Sequence, residues 1–376
     1  MKTRNPLLIA VLLLSTFGLR FPAAFAQGNL TPPGPPAPTM MSLDQIYGKL
    51  DPRTPITNSG AVTISVPGSY RLATNITVSS GDAITISANN VTLDLSGFTI
   101  SSTKASAGGT AILLSGGRTN VTIHNGNIYS GVTNNAGVYA GPGFANGVFY
   151  SGGNNCNVRI RDVSVYGCLS NGIFLDFSAA GLGNSTLVES CVVQTVGGGG
   201  IQASTVLRST ANFCGLTAIN ADNVSECFGY SSGSGYGVSA LQTANNCYGY
   251  STTDIGVNAN IANNCNGYSA NANATFSGGV VASCVANCYG FCAGNGYGIN
   301  TSTAYNCYGQ NNGTGVGLYA LIANNCGGGS LSGFGLEVNY IAIGCIGESD
   351  GIGLSAYIAN SSYSTTEAVT NKYNMK

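Results

Sequence analysis

The stretch Asn245-Asn246-Cys247-Tyr248-Gly249-Tyr250-Ser251 returns in close copies: NNCNGYS from Asn263, ANCYGFC from Ala286, YNCYGQN from Tyr305 and NNCGGGS from Asn324. With the cysteine as marker, the copies fall at Cys227, Cys247, Cys265, Cys288, Cys307, Cys326 and Cys345, which are 20, 18, 23, 19, 19 and 19 residues apart. Toward the N-terminus the same slot reads Thr210, Cys191, Val163, Gly126 and Ser96, so that twelve copies run from about residue 90 to 362. The longer early gaps, such as 126 to 163, hold Gly-rich insertions that read as loops.

A second column keeps phase with the first: Gly237-Val238, Gly256-Val257, Gly279-Val280, Gly298-Ile299, Gly317-Leu318, Gly335-Leu336 and Gly353-Leu354. Each pair is followed two residues later by a small or apolar residue such as Ala240, Ala259, Ala282, Ala320, Val338 or Ala356, the alternation of a strand with one buried face. A strand-only repeat near 19 residues predicts a solenoid, because one unit cannot bury its apolar face alone and stacked units can. The asparagines at 246, 264, 287, 306 and 325 then hold one turn position, where Asn tolerates left-handed backbone angles. The cysteine after each starts the next strand and points inward as a small core residue.

This repeat, with the opening Pro67-Gly68-Ser69-Tyr70-Arg71-Leu72 and Asn90-Val91-Thr92-Leu93-Asp94-Leu95-Ser96-Gly97-Phe98-Thr99-Ile100, resembles the right-handed parallel β-helix proteins of the pectin-lyase-like superfamily over roughly residues 55 to 365. The resemblance implies an all-β, single-stranded right-handed parallel β-helix of about twelve coils with a short N-terminal cap. It leaves activity open, since the superfamily holds lyases, hydrolases and adhesins. Its pectate lyases carry a Trp-x-Asp-His-type segment, excluded where Trp is absent, and its polygalacturonases carry paired aspartates and a Gly-His-Gly segment that this chain lacks.

The remaining chain divides readily. Lys2 and Arg4, the apolar run Leu7 to Leu19 and the small-x-small site Ala24-Phe25-Ala26 form a secretory signal peptide over 1–26. Residues 27–55 are a Pro-rich arm with a short cap helix, 56–365 the β-helix, and 366–376 a C-terminal tail. The run is too short for a membrane anchor, no later stretch is long enough, and the expected location is secreted, extracellular or at the cell surface, with the periplasm also open. Charged residues make up only 7% of the chain and the net charge is −1, so there is no electrostatic footprint for nucleic acid or anionic lipid. A neutral, hydroxyl-rich partner such as a polysaccharide or a cell-surface or matrix glycan fits better.

Two constellations are candidates for function. Two residues before the marker the early copies carry Asp94, His124, Arg161, Glu189 and Arg208, with Asp162 beside Arg161, a stripe about 19 Å long at about 4.8 Å per coil. In one reading Arg161 or Arg208 binds a glycan carboxylate and Asp162, Glu189 or His124 serves as acid or base, which makes a polysaccharide lyase or glycoside hydrolase. In the other it is a solvated ladder of mixed sign. No coil supplies the several converging carboxylates of a calcium site, and one His with no paired CxxC motifs gives no zinc site, so no cofactor is expected.

The second constellation is aromatic: Phe228 and Tyr230, Tyr248 and Tyr250, Tyr268, Tyr289 and Phe291, and Tyr308, with glycines between. If the cysteines point inward, these rings face outward as a stripe suited to stacking on sugars; a register one residue off buries the rings and exposes the glycines. Among the thirteen cysteines, Cys284, Cys288 and Cys292 break the spacing, and a local disulfide is expected among them. The ladder cysteines, with parallel side-chain vectors, are better thiols than bridges.

Overall fold

The computed structural model describes residues 41–175, 185–271 and 277–375; the expected signal peptide, residues 1–26, and the Pro-rich part of the arm, residues 27–40, lie outside them. The chain divides into residues 1–52 and 53–376. In the first unit a helix, α1, spans Leu43–Leu50. It is opened by a capping box in which Gln45 N–H donates to Ser42 Oγ at 3.1 Å and Ser42 N–H donates to Gln45 Oε1 at 2.9 Å.

The second unit is a parallel β-helix, with 33 strands joined in one sheet. One coil shows how it is built. The strand Val238–Asn245 makes two sides, since its register breaks between Ala240 and Thr243, and Tyr248–Ser251 makes the third. The corner between the second and third sides is Asn246, with φ 52°, and its equivalents Asn264, Asn287, Asn306 and Asn325 have φ between 50° and 53°. Cys247 and the other marker cysteines behind those corners are buried, as alternation requires. A second corner ladder is Asn90, Asn120 and Asn157, also left-handed, whose side chains bond from coil to coil at 2.8 Å.

The columns taper. One inward column on the second side reads Leu93, Ile123, Ile160, Val188, Val206, Val224, Ala244 and Ala262 in paired register. Its partner on the third side reads Ile100, Ile128, Val165, Val193, Ala211, Gly229, Gly249 and Gly267. Shrinking side chains bring the walls together: a Cβ on Gly229, Gly249 or Gly267 would lie 2.0, 2.0 or 1.8 Å from the carbonyl oxygen of Gly237, Gly256 or Gly279. Glycine is required there by close approach of backbone to backbone. On the first side Val257, Val280, Ile299, Leu318, Leu336 and Leu354 form one fully buried column, which supplies the bulk of the thin core.

Several boundaries differ from the sequence reading. Val62–Ile64 and Gly68–Leu72 pair in the ladder inside the expected 56–365 domain, ahead of the first recognised copy, while Thr54–Ile56, at the edge of the expected arm, and Glu367–Tyr373, read as a tail, pair with Gly68–Leu72 and Ile352–Asn360 as further strands. The insertion after Gly126 is not all loop: Thr133–Asn135 and Val138–Ala140 form an antiparallel hairpin outside the main sheet. All thirteen cysteines are free. Cys284 faces out, paired with Ile261 and Thr303, whereas Cys288 and Cys292 are buried, so the expected local disulfide is replaced by thiols on opposite faces of the wall.

Candidate functional site

Asp94, His124, Arg161 and Glu189 stand in register on consecutive coils. The column also contains Arg71, which pairs with Asp94 and which the repeat alignment missed because it precedes the first recognised copy. Arg208 does not belong to it. Glu189 pairs with Leu207, while Arg208 sits one residue later, at the left-handed corner with φ 45°, and reaches back to form an ion pair with Glu189. The same offset moves Thr210 out of the marker slot: Thr210 pairs with Val192, so Ser209, buried, stands beside Cys191. That coil is the one copy with no cysteine to anchor the alignment between Cys191 and Cys227.

The carboxylates of this column have partners of their own. Asp94, 7% exposed, accepts the Ser96 N–H at 2.7 Å and Asn125 Nδ2 at 3.2 Å, pairs with Arg53, and lies 3.8 Å from His124 Nδ1. Burial alone would raise its pKa; the Ser96, Arg53 and Asn125 hydrogen bonds and the His124 charge outweigh burial and hold it below the ordinary value. Asp162 lies at an exposed corner with φ 52°, in the row of corner asparagines, and Arg161 beside it is exposed. Of the five acid, base and anchor candidates, the structure therefore pairs Glu189 with Arg208, sets His124 beside Asp94, and leaves Arg161 and Asp162 on the open face. Among the described residues no three His, Cys, Asp or Glu side chains converge as a metal site needs.

The aromatic residues face outward, with the glycines inside, and they split into two columns of different character. Tyr230, Tyr250, Tyr268 and Phe291 are half-buried and packed on one another, with centroids 4.8, 4.8 and 4.5 Å apart; Tyr268 has a parallel ring on each side. Those ring faces are occupied by neighbouring rings. The other column is more open: Tyr248, Tyr289 and Tyr308 are exposed, and Asn266 interrupts it between Tyr248 and Tyr289. Tyr289 and Tyr308 are parallel within 1°, but their centroids are 6.1 Å apart, which offsets them like shingles. Tyr308 leans across Gly327, where a Cβ would lie 2.6 Å from its ring, and Tyr289 donates its hydroxyl to Gln310 at 3.0 Å.

These two rings line an open groove of about 640 Å³ beside the corner residues Asn287, Asn306 and Asn325, with Gly327 on its floor and Ile346 beyond. Burial, then a neighbouring phenol or carboxylate, pushes the Tyr289 and Tyr308 hydroxyls up, so they stay neutral donors. From Ile255 to Leu336 the chain has no charged residue, and the groove is lined mostly by amides, aromatic rings and glycines, with Glu348 as its one charged lining residue.

Fold and surface together define a parallel β-helix with an aromatic and amide face on which Glu348 is the charged residue lining the Tyr289 and Tyr308 groove. Comparison with known proteins finds no matching family model, no matching curated protein and no matching solved structure. Among the described residues no helix is long and apolar enough to cross a membrane.

Proposed function

We propose that the chain is an exported, non-catalytic protein that binds a neutral polysaccharide, or another repetitive extracellular surface rich in hydroxyls, along the third side of its solenoid. The observation that carries this reading is the Tyr289 and Tyr308 pair, exposed and offset, beside an asparagine ladder in a groove whose one charged lining residue is Glu348. Aromatic rings take the apolar faces of sugars, amides take their hydroxyls, and a row of equivalent sites at about 4.8 Å suits a repeating chain. The N-terminal Lys2, Arg4, apolar run and Ala24-Phe25-Ala26 support export. The repeat and the parallel β-helix support membership of the pectin-lyase-like superfamily, whose non-enzymatic members this chain resembles in lacking the lyase and polygalacturonase segments.

A glycan array on the chain from Gln27 onward tests the reading. Uncharged glycans are expected to bind, and Tyr289→Ala with Tyr308→Ala is expected to weaken binding by about 1–3 kcal/mol without lowering the melting temperature. Binding confined to acidic glycans, with ultraviolet-absorbing or reducing-end products lost on Arg161→Ala or Asp162→Asn, would replace it with a lyase or hydrolase.

A further inference from the structure

The hairpin Thr133–Asn135/Val138–Ala140 is turned by Ala136 and Gly137, both at positive φ, and lies along the third side rather than standing out in solvent. Tyr139 holds it there: its hydroxyl donates to the Phe213 carbonyl at 3.0 Å and lies 2.8 Å from Ser232 Oγ, 93 residues later. Asn134 Nδ2 donates to the same phenol oxygen at 2.9 Å. Gly197 and Gly215 lie beneath the ring; a Cβ on either would first strike the Leu169 or Gly197 carbonyl oxygen of the neighbouring coil and would also come within 3.0 or 3.1 Å of the Tyr139 side chain.

Beside the hairpin, two adjacent coils carry stacked irregularities. Thr195 and Phe213 occupy equivalent places, because Gln194 pairs with Asn212 and Val196 with Cys214, and both have left-handed backbones, with φ 57° and 52°. A β-branched and an aromatic residue are poorly suited to that region, where glycine or asparagine is the ordinary choice. The next coil lacks the extra residue, and the register shifts between Ala211 and Cys214. Such bulges re-aim side chains: Phe213 is turned outward, 40% exposed, edge-on to Tyr230 at 5.0 Å.

Hairpin and bulges enclose a groove of about 510 Å³, with Tyr166, Gln194, Phe213 and Tyr230 along the sheet and Thr133 and Asn134 on the hairpin wall. No charged residue lines it. The hairpin bounds it on one side, and its volume, like that of the Tyr289 and Tyr308 groove, falls in the range of small-ligand sites, about 300–1,000 Å³.

We infer that this hairpin-walled groove is the specificity site for an uncharged oligosaccharide segment, with a sugar ring against Phe213 and its hydroxyls bonded by Gln194. The inference rests on the glycan-binding reading and adds where recognition is decided: the open face contacts any stretch of the chain, and the walled groove selects its sugars. The strained Phe213 backbone is the cost of presenting that ring.

Calorimetric titration of the full mature chain with cellohexaose, mannohexaose, chitohexaose and hexagalacturonate tests it. At least one uncharged probe is expected to bind, more tightly than hexagalacturonate. Phe213→Gly keeps the left-handed backbone and removes the ring, so it should weaken that probe at least tenfold with no fall in melting temperature; Phe213→Asn, which also tolerates the backbone, should do the same. Tyr139→Phe should weaken binding several-fold and speed amide exchange in residues 133–140, because the hairpin loses its tie to Phe213 and Ser232. Retained affinity in both Phe213 variants, with loss in the Tyr289→Ala, Tyr308→Ala double variant, would overturn the groove and leave the glycan reading standing. A wild-type chain that binds none of the uncharged probes overturns both.

Discussion

Replacing Gly249 by alanine isolates the close approach that narrows the C-terminal coils. The new Cβ would lie 2.0 Å from the Gly256 carbonyl oxygen, 2.6 Å from its carbon and 2.8 Å from Val257 Cγ2. A comfortable carbon to oxygen contact is about 3.3 Å, so the walls must part by roughly 1.3 Å. No rotamer relieves this, because the struck atoms are mostly backbone. The Gly256 carbonyl is also the acceptor of the Val238 N–H at 2.9 Å, so moving it strains a ladder hydrogen bond. Overpacking costs about 1–3 kcal/mol and a weakened bond about 1 kcal/mol more, while alanine returns about 0.4–1 kcal/mol by restricting the unfolded chain. The net expectation is a loss of about 1–3.6 kcal/mol. Denaturant unfolding followed by circular dichroism measures the total, and hydrogen exchange should locate the loss in the coils around Val238–Ser269, since each coil of a solenoid contacts chiefly its neighbours. Gly199→Ala is the control: the nearest neighbours of its new Cβ would be 3.6 Å away, and the change should stay within about 0.5–1 kcal/mol of wild type. A Gly249→Ala loss below about 1 kcal/mol, or equal to the control, would refute the glycine-to-glycine packing.

Two further outcomes follow from side-chain environment. Native protein at pH 8 should react with a thiol reagent at exposed Cys156 and Cys284 first, with the buried cysteines reacting only on unfolding; burial pushes the Cys168 thiol up to about 12, and rapid native-state modification of Cys247 would contradict the inward ladder. For Asp94, a folded pKa below its ordinary 3.8 means that its stabilisation is present above that value and lost as pH falls through the lowered one. Asp94→Asn should therefore flatten the acid limb of the stability profile below about pH 4, read by melting temperature against pH, and an unchanged limb would show that Arg53, Ser96 and Asn125 do not favour the charged form.

The functional surfaces were legible in part. Alternation set Tyr248 on the face opposite Cys247 but left two registers open, and the structure decides between them by burying Cys247 and exposing Tyr248; the same rule brought Asp94, His124, Arg161 and Glu189 to one column. It failed at Arg208, where no cysteine marks the coil and a one-residue error moves a side chain from a strand to a corner. The Tyr stripe was visible as a stripe, but its division into self-packed Tyr250, Tyr268 and Phe291 and offset Tyr289 and Tyr308 was not, because Asn266 and Gly327 act through the coils beside them.

By itself the sequence determined the repeat, its strand-only character, the left-handed asparagine corners and the inward cysteines, all of which depend on a residue's own backbone preference and on neighbours within one period. Only the tertiary structure decided how far apart the walls stand, which carboxylate meets which cation, and where the inserted hairpin lies. Those depend on contacts such as Arg53 with Asp94 and Tyr139 with Ser232, made between residues 41 and 93 positions apart. No local rule carries that information, because the same Gly-rich insertion can hang as a loop or fold back as a wall, and the wall is held by the bonds of Tyr139 to the Phe213 carbonyl and Ser232.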